Sequence, residues 1–324
     1  MSKKSYSEAI SLAMAEEMRR DKAVTLMGLD VGPYGGAFGA SKGLHEEFGD
    51  GRILDMPISE AGYVGAAIGA AATGLRTIVE LQFSDWITIA SDQLVNQAAN
   101  MRYMFGGHLS IPMVLRAPVG GYLAAAAQHS HMFESWFAFV PGLKVVLPST
   151  PKDAKGLLKS SIRDNNPVIF FEHKKLYDMV EEVTDDPDFT IPLGKAEVKK
   201  EGKDVSIITY SFMVHKALDA AKLLEKGGIS AEVVDLRTIK PLDAETIITS
   251  VKKTNRVICF QETWPTCSVM SEVAALISEY AMDYLDAPVK RLGGRDVPIP
   301  FSPVLENYVL PSVDDLVESI KEML

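Results

Sequence analysis

The sequence predicts an α/β protein of two domains, each a mostly parallel sheet covered by helices. Three observations carry this. Apolar runs of strand length alternate with amphipathic helical stretches along the chain, the rhythm of βαβ units. A polar, charge-rich connector, Pro187 to Gly202, interrupts that rhythm once. At 324 residues the chain is long for one core and comfortable for two. The expected division is therefore a first domain at 1–186, a linker at 187–202 and a second domain at 203–324.

Taken in order, Tyr6–Arg20 reads as a helix, with Ala9, Leu12, Ala13 and Glu16 at helical spacing. Ala23–Met27 is a buried-looking strand, followed by a glycine-rich loop from Gly32 to Gly39. Arg52–Asp55 is a short strand stopped by Pro57. A small-residue helix follows over Glu60–Gly74, then a strand at Thr77–Phe83 and a long helix running to about Phe105. Strands are expected at Pro112–Pro118, Val145–Leu147 and Val168–Phe171, with a helix at Pro151–Arg163 between the last two. In the second half, strands at Val205–Tyr210, Ala231–Leu236 and Arg256–Phe260 alternate with helices at Met213–Lys226, Ala244–Lys252 and Ser268–Tyr280.

Composition narrows the function classes. A net charge of −10 argues against nucleic acid, which wants a basic surface. Two cysteines, Cys259 and Cys267, are too few for a disulfide framework in a chain this size. No secretory leader opens the sequence, and no apolar run nears the roughly 18–20 residues that span a bilayer. A cytoplasmic protein is expected.

The most unusual stretch is Met56–Gly62 and the helix after it. Ser59 is a good helix N-cap, and Glu60 is the one acid in a run of Ala, Gly and Ile. Glycine inside a helix costs roughly 0.5–1 kcal/mol relative to alanine, so Gly65 and Gly69 imply the close approach of another backbone. Two readings of Glu60 stand side by side. It stabilises its own helix N-terminus, or it is a carboxylate held in an apolar interface to bind something basic.

Other features are weaker. The loop Gly32–Gly39 lacks the spacing of a dinucleotide fingerprint. Gly49-Asp50-Gly51 begins like a magnesium-diphosphate motif, but no asparagine follows until Asn96, so it reads as a turn. His129 and His131 lie two residues apart without the acids or cysteines of a metal site. An imidazole ending a small-residue loop suits proton transfer better, given an ordinary pKa near 6.5.

Several ordered motifs together resemble the beta subunit of the thiamine-diphosphate-dependent first component of 2-oxoacid dehydrogenases, acting on pyruvate, branched-chain 2-oxo acids or acetoin. They are Ile58-Ser59-Glu60-Ala61-Gly62, Ala126-Ala127-Gln128-His129-Ser130, the run from Pro148 to Leu157, Ile162–Val168, Asp235–Asp243 and Asp286–Pro298. The resemblance covers essentially the whole chain. It implies a transketolase-type pyrimidine-binding domain followed by a transketolase C-terminal-type domain.

The resemblance also implies roles. Glu60 matches the glutamate that hydrogen-bonds the cofactor's aminopyrimidine nitrogen, with Ile58 beside it. Trp86 falls where an aromatic ring packs on that pyrimidine. His129 matches the histidine that assists proton movement as the acyl group passes to lipoyl sulfur. In some members a potassium ion is held by the segment matching Ser161, Ile162, Asp164 and Asn166, with Met113. Because the diphosphate motif is absent, the resemblance implies an alpha subunit holding magnesium and the diphosphate, in a heterotetramer that serves a lipoyl-bearing acyltransferase core. The isolated chain would be inert, as a homodimer or otherwise. A split transketolase-like carbon-transfer enzyme and a non-catalytic partner of the alpha subunit are the alternatives. Two departures stand out: Leu29 where the family commonly has an acid, and Tyr122-Leu123 adding bulk before His129.

Overall fold

A computed structural model describes residues 1–324 as two compact units. The first comprises Met1–Val119 and Trp136–Leu193; the second comprises Gly120–Ser135 and Gly194–Leu324. The segment carrying His129 thus folds with the second unit, and the chain then returns to the first. No helix is long and apolar enough to cross a membrane.

The first unit opens with β1 (Ser2–Ser5) and α1 (Tyr6–Arg20). Ser5 accepts from the Glu8 amide while the Glu8 carboxylate accepts from the Ser5 amide, a capping box that fixes where α1 begins. There follow β2 (Val24–Gly28), α2 (Leu44–Phe48), β3 (Ile53–Asp55), α3 (Glu60–Ala72) and β4 (Arg76–Glu80). The expected long helix after β4 is preceded by a 3-10 turn at Ser84–Thr88 and then runs without interruption to Met104, widened to π-helical turns at Gln93–Ala98 before α4 (Ala99–Met104). Asn100 donates its side-chain amide to the Val95 carbonyl five residues back, the offset a widened turn presents. Then come β5 (Met113–Val119), α5 (Glu134–Ala138), β6 (Lys144–Val146), α6 (Pro151–Arg163), β7 (Val168–His173) and β8 (Val180–Val183).

The strands of this unit pair in the order β6-β7-β5-β4-β2-β3, all parallel. Every residue of β2, β5 and β7 is buried, which is why they read as continuous rather than alternating apolar runs. From β2 the chain passes to β3 on one side, then to β4 on the other. This reversal lies between β2 and β4, and ligands of open α/β sheets bind outside the carboxyl ends at such a point. The unexpected strands β1 and β8 form a separate antiparallel pair.

The second unit contains β9 (Glu197–Lys200), β10 (Val205–Thr209), α7 (Met213–Lys226), β11 (Ala231–Asp235), β12 (Thr238–Lys240), α8 (Ala244–Thr254), β13 (Val257–Phe260), α9 (Val269–Ala281), β14 (Lys290–Leu292), α10 (Pro303–Val309) and α11 (Val313–Lys321). Its sheet runs β14-β13-β10-β11-β9, parallel except for β9. Val205, Ile207, Val233, Ile258 and Phe260 pack against Ala217, Ala221 and Leu224 of α7 and Leu316 and Ile320 of α11.

Candidate active site

At the strand reversal of the first unit, loops leaving β2, β3 and β4 are tied together. The Met56 amide donates to the Gly28 carbonyl at 2.8 Å, joining the ends of β3 and β2. The Gln82 side chain donates to the Asp30 carboxylate at 2.9 Å, joining the loops after β4 and β2. Beneath them Arg116 on β5 donates to Glu80 at 2.6 Å and, through two nitrogens, to Glu172 at 2.6 and 2.9 Å. Tyr177 donates to the same Glu172 at 2.8 Å. All four side chains are buried. A Cβ on Gly36 would lie 2.5 Å from a Glu80 oxygen, so this ionic core also dictates a bare backbone in the glycine-rich loop.

Glu60 begins α3 just beyond β3. It is 7% exposed, and no hydrogen-bond donor of the chain engages its carboxylate. Its setting is favourable for a charge, since the helix N-terminus contributes about 0.3–1 kcal/mol to a nearby anion. Ser59 stands at the N-cap as expected, but its side chain makes no capping hydrogen bond. The close backbone approach expected of Gly65 and Gly69 is absent within the unit. A Cβ on Gly65 would meet only the Gln93 side chain at 3.5 Å, and one on Gly69 would meet nothing within 4 Å. Gly62, Ala66 and Gly69 leave that face of α3 exposed. Ile58 is 79% exposed. Trp86 meets Phe83 edge-on at 5.3 Å, and Phe83 in turn meets Phe38 at 5.5 Å, so the ring is held by an aromatic row.

The segment matched to potassium binding also lies in the first unit. Arg76 donates to the carbonyls of Ile162 and Asp164 at 3.1 Å each. The Asp164 carboxylate accepts from Lys144 and from Asn166. Burial opposes ionisation there, but Lys144 and Asn166 hold the Asp164 carboxyl below its usual range. Ser161 spends its hydroxyl on the Leu157 carbonyl, and Met113 is buried in β5. The oxygens a potassium ion would use from Ile162 and Asp164 are engaged by two protein cations.

His129 stands in the second unit, on a loop of unusual backbone. φ is positive at Gly120, Tyr122, Ala124 and Ala126, every second residue. For the three that are not glycine this costs roughly 1–3 kcal/mol each. Buried acids offset it. Glu262 accepts from the Gly121 amide at 2.6 Å, and Glu306 accepts from Leu123 and Ala124 at 3.3 and 2.8 Å. Tyr122 donates to the Pro311 carbonyl at 2.9 Å, and the Lys216 ammonium lies 4.1 Å above its ring. His131 stacks on Phe133 and tilts against Trp264, which assigns it a packing role. No three His, Cys, Asp or Glu side chains gather as a metal site.

Below the loop, Glu134 is fully buried. It accepts from Tyr210 at 2.8 Å and Thr263 at 3.1 Å, and its second oxygen has no donor. Burial pushes its carboxyl up to about 7, against the hydroxyls that favour the charged form. Glu134, Glu262 and Glu306 have no distinguishing signal in the sequence: each looks like a surface charge, and only tertiary contacts bury all three and make Glu262 and Glu306 supports for the loop.

Comparison with known proteins finds two family domains along the chain. The family described as transketolase, pyrimidine binding domain, matches residues 2–179, and transketolase, C-terminal domain, matches residues 194–316. The chain is 49% identical to the 2-oxoisovalerate dehydrogenase subunit beta of Bacillus subtilis (strain 168), covering 100% of this chain and 99% of the relative. It is 48% identical to the acetoin:2,6-dichlorophenolindophenol oxidoreductase subunit beta of the same organism, over 99% and 97% of the two chains. With the mitochondrial pyruvate dehydrogenase E1 component subunit beta-2 of Oryza sativa subsp. japonica it shares 47% identity, over 97% and 84%. Among solved structures, a chain described as a split gene transketolase, inactive beta4 tetramer, aligns with a TM-score of 0.81 at 24% identity, over 98% of this chain and 97% of that one, and so shares the fold.

Proposed function

Because the chain belongs to the family of beta subunits of 2-oxoacid and acetoin dehydrogenases, we propose that with an alpha subunit it oxidatively cleaves a short 2-oxo acid or acetoin and passes the acyl group to a lipoyl acceptor. The observation that carries this reading is Glu60, a nearly buried carboxylate at a helix N-terminus with no donor in its own chain. Such a group has open acceptor capacity that a bound partner can fill. An aminopyrimidine ring nitrogen sharing a proton is that partner, so the residues present fit thiamine diphosphate.

When bound, thiamine diphosphate supplies a thiazolium carbon as the nucleophile toward the substrate carbonyl. The chain's own part is to hold and move protons. Glu60 holds a proton between its carboxylate and the pyrimidine nitrogen. Trp86, fixed by Phe83, offers a flat apolar wall to the same ring, with Ile58 beside it. His129 delivers a proton to the lipoyl sulfur that becomes a thiol as the disulfide opens. The alpha subunit brings magnesium and the diphosphate contacts, and its backbone approaches the open small-residue face of α3. A potassium ion at Ser161–Asn166 and Met113 would have to displace Arg76 and Lys144, and no step is routed through one. The acyl-bearing partner is a lipoyl domain of an acyltransferase core.

The test is reconstitution. The chain mixed with its alpha subunit, thiamine diphosphate and magnesium should turn over at least one of 2-oxoisovalerate, pyruvate and acetoin, while either chain alone stays inert. Full turnover by this chain alone would contradict the reading.

A further inference from the structure

The peptide N–H groups that precede His129 form a cradle that is already filled. With φ positive at every second residue from Gly120 to Ala126, the backbone turns the Gly121, Leu123 and Ala124 amides toward anionic acceptors, as in the cradles that bind anions elsewhere. Here the anions belong to the chain. The Glu306 carboxylate takes the Leu123 amide on one oxygen and the Ala124 amide on the other, and Glu262 takes the Gly121 amide. Both acids are 2% exposed. A Cβ on Gly121 would fall 2.7 Å from the side chain of Leu310, which ends α10, and 3.3 Å from a Glu306 oxygen, so this end of α10 packs directly against the loop. Ala126, with φ 64° and ψ −176°, occupies a region other residues leave to glycine, three positions before the imidazole.

We propose that Glu306 is a positioning residue for His129: its carboxylate occupies the amide cradle and thereby fixes the strained loop on which the imidazole stands. The inference rests on the reading that His129 serves acyl transfer. Without the carboxylate, two amides lose their acceptor and the loop relaxes toward ordinary dihedrals, carrying His129 away from the sulfur it must protonate. Glu306 acts on where the imidazole sits and takes no proton itself.

The experiment uses the enzyme assembled with its alpha subunit and compares two rates: reductive acylation of a free lipoyl domain, and decarboxylation read with an artificial electron acceptor. Glu306→Ala should slow acylation roughly tenfold to a hundredfold, the loss of charge-assisted hydrogen bonds, and slow the dye-linked rate far less. Glu306→Gln, which keeps one acceptor but turns an NH2 donor toward the other amide, should fall between the wild type and Glu306→Ala. Sodium formate, small enough for the vacated cradle, should restore acylation in Glu306→Ala saturably, where equal sodium chloride does not. Combined with His129→Ala, Glu306→Ala should add no further loss. Losses that multiply in the double variant, or rescue that chloride matches, would overturn the proposal. If His129→Ala alone leaves acylation intact, the reading of His129 itself fails, a different result from multiplied losses. Should Glu306→Ala not assemble, Glu306→Asp, which keeps the charge but withdraws it by one methylene, carries the same comparison.

Discussion

In the first unit, Arg116 lies between the carboxylates of Glu80 and Glu172, each within 2.9 Å. In the second unit, Glu134 meets two hydroxyls and leaves one oxygen without a donor. Both regions bury carboxylates next to a loop that faces chemistry. The first bridges them with one guanidinium whose two-sided fork specifies one arrangement, although with a single cation for two acids burial still raises the Glu80 carboxyl above its ordinary value. The second relies on neutral donors, so its acid sits close to titration at neutral pH. A glycine-rich loop rests on the first support, while the strained His129 loop is held by Glu262 and Glu306, in the same unit as Glu134.

The largest expected effect tests the ionic support. Arg116→Met would leave Glu80 and Glu172 buried without their partner, at a cost of about 3–5 kcal/mol. The urea midpoint should drop accordingly. A loss under about 1 kcal/mol would show that the fork is dispensable.

The second support gives a pH signature. The Glu134 carboxyl titrates at about 7 in the folded chain and from a reference of 4.5 when unfolded. Its contribution is therefore full below the unfolded value and is lost as pH rises through the folded one. Glu134→Gln, which cannot ionise, should match the wild type near pH 4.5 and become more stable than it as pH climbs, by on the order of 3 kcal/mol above pH 7. Denaturation midpoints across pH 5 to 8.5 check this. A difference that does not grow with pH would remove Glu134 from the comparison.

A smaller effect probes backbone strain. Ala126→Gly should be neutral or stabilising by up to about 1 kcal/mol, because glycine accepts the conformation Ala126 is forced into. Ala125→Gly, beside it at ordinary φ, should instead cost roughly 0.5–1 kcal/mol. Thermal melts of the two variants separate these outcomes, and equal losses would deny the strain.

The same contrast explains what was legible in the sequence. Helices with local punctuation came out end to end: α1 starts at its Ser5–Glu8 box, and α6 starts at Thr150, which caps the Asp153 amide ahead of Pro151. Glu60 was legible because an acid opening an Ala-Gly helix is locally odd. The pairing of β1 with β8 and the widened turn at Gln93–Ala98 depend on partners distant in sequence or on side-chain competition, which periodicity does not encode. Nor does any local pattern announce that Gly120–Ser135 leaves the first unit, or that Glu134, Glu262 and Glu306 are buried. The chemistry of the His129 loop is set by residues up to 189 positions away.

The central claim, that Glu60 holds the pyrimidine proton, is tested most directly by exchange of the thiazolium hydrogen for deuterium in the assembled enzyme. Glu60→Gln keeps the side chain's shape and its place at the head of α3 but cannot share that proton. Quench-flow NMR should show exchange slowed by about 100-fold or more, with subunit assembly and cofactor occupancy unchanged. Exchange at the wild-type rate in a fully loaded Glu60→Gln enzyme would contradict the account.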